Sequence, residues 1–119
     1  VQQAVIFAAR REALSTYMSE AVEDYILQLI AATRTPTRYG ADLAGLVTYG
    51  ASPRGTIALD RTARALAWLR GRDYVVPEDV QAIARPVLRH RILTSFEAQA
   101  DGITSDSFID ALLARVPVS

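Results

Sequence analysis

The sequence contains no cysteine, no lysine and a single histidine, His90. The missing cysteine excludes thiol catalysis, thiolate-ligated zinc and a disulfide framework, and it fits a reducing compartment such as the cytoplasm. The missing lysine excludes a complete P-loop, whose lysine reaches the β- and γ-phosphates, and any Schiff-base mechanism. One histidine cannot build a histidine metal cluster or a two-histidine mechanism. Long apolar runs are also missing, since Arg, Glu or Asp interrupts each one, so nothing reads as a signal peptide or a membrane span. Charge of one sign is not in excess. Thirteen arginines balance thirteen acidic residues, which argues against a generic binder of nucleic acid or membrane surfaces.

What is present is one domain's worth of chain, 119 residues of which half are hydrophobic, and its periodicity is helical almost throughout. Val1 to about Leu14 sets Val5, Ile6, Ala9 and Ala13 at helical spacing, with Arg10, Arg11 and Glu12 on the solvated side. Thr16 to Met18 reads as a short extended piece. Ser19 then caps a helix that carries Val22, Tyr25, Ile26, Leu29 and Ile30 on one stripe and ends near Arg34, before Thr35-Pro36. Residues 35–51, with Pro36, Gly40, Gly45 and Gly50, read as a long loop in which Ala41 to Val47 could form a helical turn. Ser52 and Pro53 start a third helix that runs to about Arg70, with Gly71 as the left-handed stop. Trp68 in this helix reads as a partly buried packing residue.

Asp73 to Val76 is predicted extended. Pro77-Glu78-Asp79 restarts a helix with Val80, Ile83, Ala84, Val87 and Leu88 inward, and Pro86 inside that stripe predicts a kink or a break. Asp101-Gly102 marks a turn, and Thr104 or Ser105 caps a last helix with Phe108, Ile109, Leu112, Leu113 and Val116 inward. Pro117 ends it. The expectation is an all-α bundle of five helices.

Few residues offer chemistry. The acidic pairs Glu23-Asp24 and Glu78-Asp79 read as surface acids that complement helix dipoles. His90, between two arginines, reads as a structural residue rather than a base. Arg54 is the exception, because it falls in the first turn of the third helix, at the positive end of the dipole. A cation there makes sense beside an anion, and a helix N-terminus is itself suited to phosphate. The alternative is that Arg54 pairs with a carboxylate such as Asp42. Between Ser52 and Arg91 stand eight arginines (54, 61, 64, 70, 72, 85, 89, 91) against four acids (60, 73, 78, 79). The resulting +4 is offset by five arginines and nine acids elsewhere.

Several runs in order then become recognisable: Gly50-Ala51-Ser52-Pro53-Arg54-Gly55, Ala65-Leu66-Ala67, Gly71-Arg72-Asp73-Tyr74-Val75-Val76-Pro77-Glu78-Asp79-Val80 and Pro86-Val87-Leu88-Arg89-His90-Arg91. From about Ala13 to Pro117 the chain resembles the C-terminal helical lid of MoxR-type AAA+ ATPases. The resemblance implies that residues 1–119 form a single lid domain, a fragment of a longer ATPase whose α/β core lies outside this sequence. It implies that Arg54 is the sensor-2 arginine and catalytic contributor, with Ser52, Pro53 and Arg54 meeting the nucleotide. ATP and Mg2+ would belong to the intact enzyme, with neither bound by the fragment alone and no metal site of its own. The implied partners are the α/β AAA+ core, neighbouring subunits of a ring such as a hexamer, and a protein carrying a von Willebrand A domain. Family members act as chaperone-like machines. The resemblance leaves open whether Arg54 acts in cis or in trans, and the loop ahead of Gly50 departs from the pattern. Two rival readings remain, a stand-alone helical adaptor and an arginine-rich nucleic-acid binder.

Overall fold

A computed structural model describes residues 3–118. Six α-helices follow one another: α1 (Gln3–Leu14), α2 (Glu20–Arg34), α3 (Pro53–Leu69), α4 (Pro77–Leu88), α5 (Phe96–Ala100) and α6 (Ser105–Arg115). Helix α3 is the spine, packed against α1, α2 and α4, while α6 closes the bundle against α2 and α4. The predicted stripes of α2, α3, α4 and α6 meet in one core. Tyr25, Ile26 and Leu29 of α2, Leu59 and Ala63 of α3, Val80 and Leu88 of α4, and Phe108 and Ile109 of α6 are all essentially inaccessible to solvent. The alanines on α3 are what let its neighbours approach closely.

The helix ends follow local chemistry. Ser19, Ser95 and Thr104 each accept a backbone N–H of the turn they cap, which satisfies a donor the helix itself cannot. At the end of α3, Gly71 takes φ +78°. The N–H of Arg72 reaches the carbonyl of Ala67 and that of Gly71 reaches Trp68, each at 3.0 Å, the paired closure that a left-handed glycine permits. Beyond it, residues around Tyr74 run parallel to Tyr17, with the N–H of Val75 donating to the Tyr17 carbonyl at 2.8 Å. Both extended pieces expected from the sequence therefore exist, and they pair with each other.

Four expectations need correction. Helix α1 does not bury its apolar stripe: Val5 and Ile6 are 57% and 53% exposed, and only Ala13 is buried; Val1 lies outside the described residues. Residues 35–51 are more ordered than a plain loop. They form two 3-10 turns, Pro36–Tyr39 and Ala41–Leu43, and a strand β1 (Val47–Tyr49) that pairs antiparallel with β2 (Leu93–Thr94), with a register slip between Val47 and Tyr49. Helix α5 makes a sixth helix where five were expected, since Ser95 caps a turn hidden in a polar stretch. Of the kink or break expected at Pro86, the break does not occur, since helix α4 runs on to Leu88. Proline removes only the bond to the Ala82 carbonyl, and both residues are exposed, so water can take that acceptor.

Candidate functional site

The start of α3 is fixed from three directions. Thr33, fully buried near the end of α2, donates its hydroxyl to the Ile30 carbonyl at 2.6 Å and accepts the N–H of Ala51 at 2.9 Å. Gly50 lies so close that a Cβ there would sit 2.5 Å from the Thr33 carbonyl oxygen and 2.9 Å from the Arg34 Cα. Gly55 presses one turn of α3 against Ile30, where a Cβ would be 3.0 Å from its Cδ1. Gly50 thus brings the segment leading into α3 into direct backbone contact with the end of α2, and Gly55 seats the first turn of α3 on the Ile30 side chain. The preceding segment is tethered too. Ser95 donates its N–H to the Leu46 carbonyl at 2.8 Å, β1 pairs with β2, and Asp42 binds Arg115 through both carboxylate oxygens at 2.8 and 2.7 Å.

On this frame stand Ser52, Pro53 and Arg54, all exposed. Ser52 occupies the N-cap with extended backbone, but its side chain accepts no bond from the first turn. Pro53 fills the first helical position without an orphan N–H of its own. No acidic residue lies in this first turn, unlike those of α2, α4, α5 and α6. Arg54 has no ion-pair or side-chain hydrogen-bond partner among the described residues. The alternative pairing with Asp42 fails, because Asp42 is engaged by Arg115. That hydrogen bond, opposed by burial and assisted by the Arg115 charge, holds the Asp42 carboxyl below the usual carboxylate range. A free planar fork beside a helix N-terminus suits phosphate oxygens. Among the described residues no three His, Asp or Glu side chains gather as a metal site.

The other arginines are mostly occupied. Arg64 binds Asp60 at 2.6 Å and also the Thr16 carbonyl, Arg85 binds Asp110 at 2.6 Å and Arg89 binds Asp106 at 2.8 Å. The Arg89 hydrogen bond keeps Asp106 below its ordinary pKa, burial opposing it and the charges of Arg89, Arg85 and His90 adding to it. Of the eight arginines from Ser52 to Arg91, only 54, 61 and 91 lack a carboxylate partner among the described residues. Five of these eight arginines are therefore engaged by carboxylates within the fold, which weakens the nucleic-acid reading. His90 is exposed rather than built into the core.

Asp79 is the residue the sequence misplaced. It was expected on the surface, yet its side chain is completely buried. Arg72 grips both of its oxygens, one at 2.7 Å, Arg70 reaches it at 3.1 Å, and the N–H of Val76 donates at 2.9 Å. Burial pushes its pKa up, but the hydrogen bonds from Arg72 and Val76 and the two guanidinium charges outweigh this and leave it lowered. Asp79 thereby caps α4 and ties it to the end of α3. The only warning in the sequence was its position three residues after Val76, where a carboxylate can reach back to the cap.

Comparison with known proteins matches this arrangement to a family. The family model "AAA lid domain" covers residues 42–112. The chain is 39% identical over 105 residues to "Chaperone MoxR1" of Mycobacterium tuberculosis, covering 87% of this chain and 28% of that protein. It is 42% identical over 110 residues to "Protein MoxR" of Paracoccus denitrificans, covering 87% of this chain and 32% of that one. The fold superposes on the crystal structure of an inferred ATPase from Cytophaga hutchinsonii with a TM-score of 0.88 at 41% identity, over 92% of this chain and 33% of the other. The chain thus spans roughly a third or less of each protein it matches. With its helical architecture and its Gly50–Gly55 turn in place, the chain belongs to the AAA lid domain family, in its MoxR-type form.

Proposed function

We propose that this chain is the lid of a MoxR-type AAA+ ATPase and that Arg54 is its sensor-2 arginine, meeting phosphate oxygens of ATP held on a separate α/β core. The observation that carries this reading is Arg54 itself, exposed and unpaired among the described residues in a helix turn without acids. Ser52 and Pro53 set the direction of that turn, and Gly50, Ala51 and Thr33 hold it rigidly to α2. ATP would supply the phosphoryl chemistry when bound, and Mg2+ would belong to the core. The guanidinium's part is to stabilise charge on the transferring phosphoryl group, where it is greatest in the transition state.

In this reading residues 1–119 act as one unit that follows nucleotide state and passes it to neighbouring subunits of a cytoplasmic, chaperone-like ring. A von Willebrand A domain protein is the partner the family pattern suggests. The isolated lid neither hydrolyses ATP nor binds it tightly. The test is ATP turnover by the intact ATPase carrying Arg54→Lys or Arg54→Ala. Lys keeps the charge and loses the two-pronged geometry, so the expected order is unmodified, then Lys, then Ala. Equal turnover in all three would refute the assignment.

A further inference from the structure

Thr33 is a buried polar side chain that the apolar stripe of α2 does not account for. It is the penultimate residue of that helix, beyond the Val22 to Ile30 stripe, and is 1% exposed. Its hydroxyl is used in both directions, donating to the Ile30 carbonyl at 2.6 Å and accepting the Ala51 N–H at 2.9 Å. The first bond is local, the back-bond that a helical threonine commonly makes. It fixes the hydroxyl so that the oxygen is left free to accept. The second bond spans eighteen residues and leaves the helix altogether.

That second bond matters because the start of α3 has few other fixtures. The Ser52 side chain does not cap the first turn, and Pro53 brings no N–H to it. The first backbone bond of the turn runs from the Gly55 N–H to the Ser52 carbonyl at 2.8 Å. Ahead of it, the Ala51 N–H has the Thr33 oxygen as its acceptor, and among the described residues no other hydrogen bond ties residues 50–52 to α2. Ala51 is wholly buried, so water cannot stand in for that oxygen. Arg54 therefore lies between two anchors, the Thr33 bond at Ala51 and the seat of Gly55 on Ile30. We propose that Thr33 is the positioning residue of Arg54: its hydroxyl replaces the cap that Ser52 does not make and sets the angle at which the arginine leaves its turn. The inference rests on the reading of Arg54 as a phosphate contact, and adds that the end of α2 determines how that contact is made.

Thr33→Val keeps the branched shape and removes both hydrogen bonds, leaving the Ala51 N–H buried without a partner and the uncapped turn free to shift. ATP turnover by the intact ATPase carrying Thr33→Val, Thr33→Ser, Arg54→Ala and the Thr33→Val/Arg54→Ala pair tests the proposal. A displacement of about 1 Å can cost about a hundredfold in rate. Thr33→Val should therefore lower kcat by about 10- to 100-fold with nucleotide Kd changed less, and Thr33→Ser, which keeps the oxygen, should restore it. In the Arg54→Ala background Thr33→Val should change kcat by less than about twofold, because no guanidinium is left to aim. A merely structural role would slow both backgrounds by the same factor. That result would overturn the proposal, as would Thr33→Val as fast as the unmodified enzyme or Thr33→Ser as slow as Thr33→Val. Full turnover with Arg54→Ala alone would instead refute the phosphate reading, and the positioning role with it. Amide hydrogen exchange on the unmodified chain decides the case even if Thr33→Val does not fold. The Ala51 N–H should be as protected as those in the middle of α2, and rapid exchange there would overturn the proposal.

Discussion

Replacing Asp79 with Asn keeps the shape of the side chain and removes its charge, which isolates what the buried carboxylate does. In the native fold it accepts from Arg72 twice, from Arg70 once and from the Val76 N–H. Asn retains one acceptor oxygen and turns an N–H2 group toward a guanidinium, so at least one donor in this pocket loses its partner. Hydrogen bonds to a charged group are worth about 1.5–3 kcal/mol each, and breaking a buried ion pair costs about 3–5 kcal/mol. The two arginine side chains are 48% and 23% exposed and can turn to water, which places the expected loss near the lower bound, about 2–3 kcal/mol. For a chain of this size that is a fall in Tm of roughly 10 °C.

The pH dependence has a definite sign. The native pKa of Asp79 lies below its unfolded value, so its stabilisation is complete above the unfolded pKa, about 4, and disappears as pH falls through the native value. The gap in stability between the unmodified chain and Asp79→Asn should therefore be widest at neutral pH and close under acid conditions. Urea denaturation followed by circular dichroism at several pH values measures it. Equal stability at pH 7, or a gap that persists unchanged into acid, would refute the description of Asp79 as a charged buried clamp.

Gly50→Ala should destabilise by about 1–3 kcal/mol, because the new methyl meets rigid backbone at Thr33 rather than a side chain that can move; thermal melting checks it. Ile83→Ala should cost about 2–5 kcal/mol, since Ile83 sits in the α4 stripe of the core. Ile6→Ala on the exposed face of α1 should change stability by no more than about 0.5 kcal/mol in the isolated chain. Paired chemical denaturation curves compare the two, and similar losses would mean that α1 is packed and not open.

The bundle was legible because its helices advertise both stripe and ends. Val22 to Ile30, Val80 to Leu88 and Phe108 to Val116 each carry apolar residues at helical spacing between recognisable caps, and those stripes do form the core. Helix α1 shows the limit of that logic. Its period is as clear as the others, but periodicity states that a face is apolar and not what covers it. The β1–β2 pair was hidden because two- and three-residue strands have too little length for an alternating pattern, and their partners stand more than forty residues apart. Asp79 was misread for a related reason. An acid at a helix start is ordinarily solvated, and only the three-dimensional return of Arg70 and Arg72 from the end of α3 buries it. Arg54 was legible as an oddity, a cation at the wrong end of a dipole, and the structure removes its simplest explanation by giving Asp42 to Arg115.

The central claim is that Arg54 is free in the lid because its partner is the phosphate of a nucleotide. The most direct measurement is kcat and nucleotide Kd for Arg54→Ala in the intact ATPase, beside the melting of the isolated lid with the same change. Arginines that lead phosphoryl transfer are worth about 10³–10⁵ in rate; a supporting one should cost less, but kcat should fall further than affinity. The lid itself should melt at the same temperature or slightly higher once the cation leaves the positive end of α3. Unchanged kcat together with a destabilised lid would contradict the account and make Arg54 a structural residue.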